Sequence, residues 1–232
     1  MKTNIRFSSD ILRRLGEELN PNADQGIIEL VKNAYDADAS ECLVELVDVE
    51  KPGGKIIIKD NGEGMDVDDI VDGWLILGSS RKASGKRTRL GRLPAGSKGL
   101  GRLAALRLGK VVTLKTIPRH NLGKEYVLRI DWDDYAESSV VEEVVLQVIE
   151  RETSEKKSGT EIQIEGLKNS IGRSEVKRLA RSLILLADPF VDNNNSFNPT
   201  LKSPEFFDLE QLVNKRYFDD AEYHLMASVD SN

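Results

Sequence analysis

The stretch IIELVKNAYDADA, residues 27–39, decides how the rest of the chain is read. At about 100° per residue, a helix places Glu29, Asn33 and Asp36 within an arc of about 60°, with Ile27, Leu30, Val31, Ala34 and Tyr35 on the opposite side. A helix over about 24–38 therefore packs one apolar face and presents two carboxylates and an amide on the other. Taken alone, that polar face is either a solvated surface or a set of short oxygen-bearing side chains able to hold a hydrated Mg2+ and orient a water.

On the N-terminal side, DILRRLGEEL (10–19) spaces Ile11, Leu12, Leu15 and Leu19 as a helix, and NPNAD breaks it. On the C-terminal side, ECLVELVDV (41–49) and KIIIK (55–59) flank KPGG and read as a hairpin. The stretch DVDDIVDGWLIL (66–77) reads as a helix with an acidic start, its Val67, Ile70, Val71 and Trp74 at helical spacing. Residues 78–101 carry no apolar period and read as a long loop, followed by a short helix at 102–109. Strands are expected at 110–117, 124–132, 140–151 and 159–165, a β meander, then a helix over 172–190 stopped by Pro189. The segment NNNSFNPT is turn-rich, DLEQLVNKRYF is a short amphipathic piece, and EYHLMASVD reads as a strand just begun. The expected division is residues 1–190 as one domain and 191–232 as a linker and the start of a following domain.

Composition narrows the class. The chain has 232 residues, of which 39% are hydrophobic and 31% charged, which suits a folded domain with a real core. A single cysteine, Cys42, excludes an intrachain disulfide and a multi-cysteine zinc site. With no apolar run near the roughly 20 residues of a membrane span and no signal-peptide core, a cytoplasmic protein without a membrane partner is expected. The net charge of −6 does not suggest a chain that coats nucleic acid. Locally it does not hold: residues 81–102 contain Arg81, Lys82, Lys86, Arg87, Arg89, Arg92, Lys98 and Arg102 and no acid.

Two further motifs carry chemistry. In KDNGEGMD, a strand ends in Asp60, followed by Gly62, Gly64 and Met65. This is either an ordinary turn or a site where glycines let the backbone approach a flat ligand, Asp60 accepts from an exocyclic amine and Met65 contacts a ring. The ligand spacing of an EF-hand is absent. In GSKGLGRLAALRLG, Gly96, Gly99 and Gly101 open a helix with Lys98 nearby, which suits a phosphate cradle; GKS or GKT of a Walker A loop is missing.

The three motifs in this order resemble the GHKL ATPase superfamily of gyrase B, MutL, the ninety-kilodalton heat-shock chaperones and sensor histidine kinases, and look most like its MORC-type and related bacterial Hsp90-like members. SGTEIQI adds a fourth match, with Gly159 and Thr160 at a strand start. The resemblance covers about residues 10–166. It implies an α+β fold, a two-layer sandwich with a mixed, mostly antiparallel sheet and helices on one face. It implies an ATPase that binds ATP and Mg2+, with Glu29 as the general base, Asn33 as the side-chain metal ligand, and Asp36 and Ala37 lining the nucleotide site. Asp60 resembles the aspartate that reads the adenine amino group, Gly62, Gly64 and Met65 shape the base pocket, and Thr160 supports it. Gly96, Ser97, Lys98, Gly99, Leu100 and Gly101 resemble the lid loop around the phosphates, within a lid at about 78–101, and Ser79, Ser80 and Lys82 add phosphate contacts.

Expected partners are ATP and ADP, a second copy of the chain in a nucleotide-dependent homodimer, and, through the basic segment, DNA or another nucleic acid. A nucleic-acid-binding module and a nucleotide sensor with little turnover are the alternative readings. His120 and His224 are the only histidines, and neither lies in a helical hairpin ahead of the motifs, so a complete histidine kinase is not implied.

Overall fold

A computed structural model describes residues 7–8, 11, 22–76, 87–95, 106, 108–187 and 196–215. Helix α1 (Ala23–Asp36) leads into the hairpin β1 (Glu41–Val47) and β2 (Lys55–Asp60). A short helical segment, α2 (Val67–Asp69), follows. Strands β3 (Val111–Ile117) and β4 (Lys124–Asp131) run into helix α3 (Trp132–Glu137), then β5 (Val148–Glu152) and β6 (Gly159–Glu165). Helix α4 (Arg173–Leu186), strand β7 (Asn198–Lys202) and helix α5 (Phe207–Asn214) complete the described elements.

The strands form one seven-stranded sheet in the order β5-β4-β3-β6-β2-β1-β7. All neighbours are antiparallel except β1 and β7. This is the expected α+β sandwich. The period-2 alternation of the strands sends one set of side chains to the core. Two cross-strand rows on that face are wholly apolar: Ile130, Val112, Ile164, Ile56 and Leu46, then Leu128, Leu114, Ile162, Ile58, Val44 and Leu201. Helix α1 buries Ile27, Leu30, Val31 and Ala34 and α4 buries Val176, Leu179, Ala180 and Leu183, the apolar stripe of each helix. The two helices are tied by Arg178, whose Nε and Nη2 donate to Asp24 at 3.1 and 2.9 Å. The opposite face of the sheet carries charge pairs instead. Glu161 on β6 takes Lys59 from β2 and Lys115 from β3, each at 3.4 Å, and Glu45 takes Lys202 from β7 at 2.6 Å.

Three expectations are corrected. The stretch 66–77 is not one α-helix: α2 passes into a π turn at Ile70–Trp74, closed by Leu75 N donating to the Ile70 carbonyl at 2.8 Å. The widened turn buries Ile70 and Trp74 and leaves Val67 and Val71 exposed. The strand expected at 140–151 is shorter, with a single 3-10 turn at Val141–Glu143 ahead of β5. The end of the turn-rich NNNSFNPT is strand instead: Asn198, Pro199 and Thr200 open β7 and pair with β1. Among the described residues β7 has one neighbour, β1, so Pro199 sits on an edge where its missing N–H is tolerated. The helix expected at 10–19 (Ile11 apart), most of that at 102–109 and the strand expected after residue 220 lie outside the described residues.

Candidate active site

The site begins where the apolar face of the sheet turns polar. In the row beyond the two apolar ones, Tyr126, Thr116, Thr160, Asp60 and Cys42 face one another across β4, β3, β6, β2 and β1. Asp60 is the last residue of β2, and its Oδ1 accepts from Gly62 N at 2.8 Å and Thr160 N at 3.3 Å. Its Oδ2 takes no part in either bond. Loss of solvent around the carboxyl pushes its pKa up to about 6, and the two backbone donors hold it from rising further. Cys42, directly opposite, is fully buried, and burial first, then the Asp60 charge, pushes its thiol up.

The loop after Asp60 is bolted to the end of α1. Glu63 N donates to the Ala37 carbonyl at 2.8 Å. A Cβ on Gly62 would lie 2.6 Å from that same oxygen, and one on Gly64, at φ +65°, would lie 1.9 Å from the Ile117 carbonyl. The approach of neighbouring backbone therefore requires glycine at both positions. Asn61 locks the other side, its Oδ1 accepting from Ser40 N at 2.9 Å and Glu41 N at 3.0 Å. The Ser158 hydroxyl donates to the Gly62 carbonyl at 2.7 Å. Ala37, Asp60, Gly62, Gly64, Met65 and Thr160 are therefore brought together in one place.

Thr116 was not singled out in the sequence. It is 1% exposed, and its Oγ1 accepts from Met65 N at 2.8 Å while lying 3.1 Å from Thr160 Oγ1 and 3.2 Å from the Gly159 carbonyl. A threonine at a core-facing position of VVTLKTI was the only available signal.

Glu29, Asn33 and Asp36 follow one another along α1, as the spacing predicted. Glu29 is partly exposed and holds Lys32 at 2.8 Å. Asp36 has an additional role: its Oδ1 accepts from Ala95 N at 2.7 Å. Asp38, in the left-handed region at φ +58°, accepts from Leu90 N at 3.0 Å. Residues 87–95 are held against the end of α1 by these bonds and by Arg92, whose Nη1 donates to the carbonyls of Tyr35 at 3.0 Å and Ala39 at 2.7 Å.

The basic segment is correspondingly reassigned in part. Arg92 is buried, Arg87 donates to the Gly91 carbonyl at 2.7 Å, and Arg89 pairs with Glu63 at 2.8 Å, a carboxylate that also takes Arg119 at 2.9 Å. Ser79, Ser80, Lys82, Gly96, Ser97, Lys98, Gly99, Leu100 and Gly101, the expected lid and phosphate contacts, lie outside the described residues. His120 is exposed, 3.4 Å from Asp66.

Among the described residues, no group of three or more His, Cys, Asp or Glu could hold a metal ion, and no helix is long and apolar enough to cross a membrane. Mg2+ is commonly held by one or two protein oxygens, waters and substrate phosphates, so an amide oxygen one helical turn from a carboxylate, the relation of Asn33 to Glu29 on α1, is a donor set that suits it without a protein cage.

The sequence belongs with this geometry to a known family. A family model described as "Histidine kinase-, DNA gyrase B-, and HSP90-like ATPase" matches residues 22–160, more than half of the chain, and the chain belongs to that family of ATP-binding ATPase domains. It is also similar to "Putative type II restriction enzyme HgiDII" of Herpetosiphon aurantiacus, with 29% identity over 223 residues, 92% of this chain. The chain spans 34% of the length of that relative.

Proposed function

We propose that this chain is the nucleotide-operated switch of a larger protein, binding ATP with Mg2+, hydrolysing it, and using lid closure and dimerisation to report the nucleotide state. The observation that carries the reading is the strand-end carboxylate of Asp60, braced by Thr160 and Gly62 and joined through Ala37 to the helix that bears Glu29 and Asn33. An ionised Asp60 accepts a hydrogen bond from the adenine amino group through Oδ2, and Met65 lies against the ring. Asn33 would hold the ion through its amide oxygen, and the ion would supply positive charge against the phosphates. Glu29, freed from Lys32, accepts the proton of the attacking water as it approaches the γ-phosphate. Residues 78–101 form the lid in this reading, with Ser79, Ser80, Lys82 and Gly96 to Gly101 against the phosphates.

The similarity to a protein named as a restriction enzyme supports placing the switch in a protein that acts on DNA. Calorimetric titration of wild type and Asp60→Asn with Mg-ATP tests the pocket: micromolar to millimolar binding by wild type and its loss in the variant are expected. Equal binding by both would remove Asp60 from the site.

A further inference from the structure

The third cross-strand row raises a question the motifs do not answer: why a threonine stands at a fully buried position where the two preceding core residues of β3 are Val112 and Leu114. A buried hydroxyl is costly unless bonded, and Thr116 has three neighbours within bonding distance. A hydroxyl has one proton and two acceptor sites. All three contacts are made at once only if Thr116 donates to the Gly159 carbonyl and accepts from both Met65 N and the Thr160 hydroxyl. That arrangement directs the Thr160 proton toward Thr116 and leaves Thr160 Oγ1 an acceptor for anything else. Thr160 N meanwhile donates to Asp60. One hydroxyl therefore fixes the backbone at Met65 and both the backbone and the hydroxyl around Thr160.

We propose that Thr116 is a positioning residue for the nucleotide base, setting the Met65 and Thr160 walls of the pocket from below without touching the phosphates. The inference rests on the reading of the Asp60 pocket as the base site. It predicts an effect confined to the base. Thr116→Val, which keeps shape and removes the hydroxyl, raises the Kd and KM for ATP about tenfold, a loss of about 1.4 kcal/mol, and leaves kcat at saturation unchanged. Binding of inorganic tripolyphosphate, which has no base, stays at the wild-type value, and Thr116→Ser restores ATP affinity to within about twofold.

ATP affinity of Thr116→Val within twofold of wild type, an equal loss for tripolyphosphate, or a serine variant as weak as the valine one would each overturn the proposal. If Thr116→Val does not fold, amide exchange in the wild type decides: the Met65 N–H is expected to be protected without nucleotide, and exchange at the unprotected rate overturns it. Asp60→Asn, measured alongside, separates the two readings. Its loss of ATP binding together with an unaffected Thr116→Val sinks only the role of Thr116, whereas wild-type binding by Asp60→Asn sinks the base site itself.

Discussion

The Arg92 guanidinium lies 4.7 Å from the centroid of the Tyr35 ring and donates to the Tyr35 carbonyl at 3.0 Å, so one side chain caps the end of α1 through both the ring and the backbone of the same residue. The Phe197 ring meets Tyr35 edge-on at 5.6 Å, which brings the entry to β7 into the same cluster. A cation is favourable at a helix C-terminus, where carbonyls lack intrahelical partners. Arg92→Ala is expected to lower stability by about 2–4 kcal/mol, because two carbonyls lose a charged donor and the cation–ring contact disappears. Arg92→Lys recovers less than half, since an ammonium cannot reproduce the flat stacked geometry. Urea unfolding checks this; an unchanged midpoint for Arg92→Ala would contradict the capping role.

The proposed role of Asp60 in nucleotide binding and its effect on stability should respond oppositely to pH. Its pKa of about 6, against the ordinary 3.8, means that between these values the folded chain binds more protons than the unfolded one. Stability is therefore fully present below the lower value and falls as pH rises through the higher, by about 2 kcal/mol once solvent screening of the partly exposed residue is discounted. Asp60→Asn should melt several degrees above wild type at pH 8, and the advantage should vanish by pH 4. ATP affinity of the wild type moves oppositely, weakening as pH falls through about 6 because protonation removes the acceptor. Melting curves and titrations across pH 4–8 test both signs.

Glycine substitution should separate backbone crowding from mere flexibility. Gly64 and Gly91 both have positive φ, +65° and +82°, but a Cβ on Gly64 would strike the Ile117 carbonyl at 1.9 Å, whereas nothing lies within 4 Å of one on Gly91. Gly91→Ala should cost about 1 kcal/mol, the usual penalty for a left-handed alanine. Gly64→Ala should cost more than about 3 kcal/mol and open the Met65 loop. Similar denaturation midpoints for the two variants would contradict the crowding argument.

What the sequence made legible follows from how local the signal is. The α1 face was readable because helical spacing alone aligns Glu29, Asn33 and Asp36, and the β1–β2 hairpin because two aliphatic runs flank Gly53 and Gly54. Asp60 with Thr160 was readable only through family resemblance, since they are 100 residues apart in sequence. Thr116 escaped because its meaning lies in register: a threonine at a core-facing position of a strand is a weak signal until Thr160 and Asp60 stand in its row. Strand β7 escaped because Asn198 and Pro199 read as a turn, and only pairing with β1 makes them a strand. Arg92 was counted as one cation among eight, for charge counting cannot detect the ring and the carbonyls that bury it.

The remaining prediction concerns Glu29, whose carboxylate holds Lys32 at 2.8 Å with both side chains about a third exposed, 32% and 30%. Such a pair contributes under about 1 kcal/mol to stability, so the helix does not depend on it. Glu29→Gln should therefore fold normally and bind ATP within about threefold of wild type, because the proposed base pocket around Asp60 is untouched. Turnover should fall by about a hundredfold or more, the range expected when a general base is removed. Single-turnover and steady-state hydrolysis, run on protein freed of contaminating ATPases, distinguish the outcomes: lost affinity would make Glu29 a binding residue, and wild-type turnover would send the search for the base to another side chain.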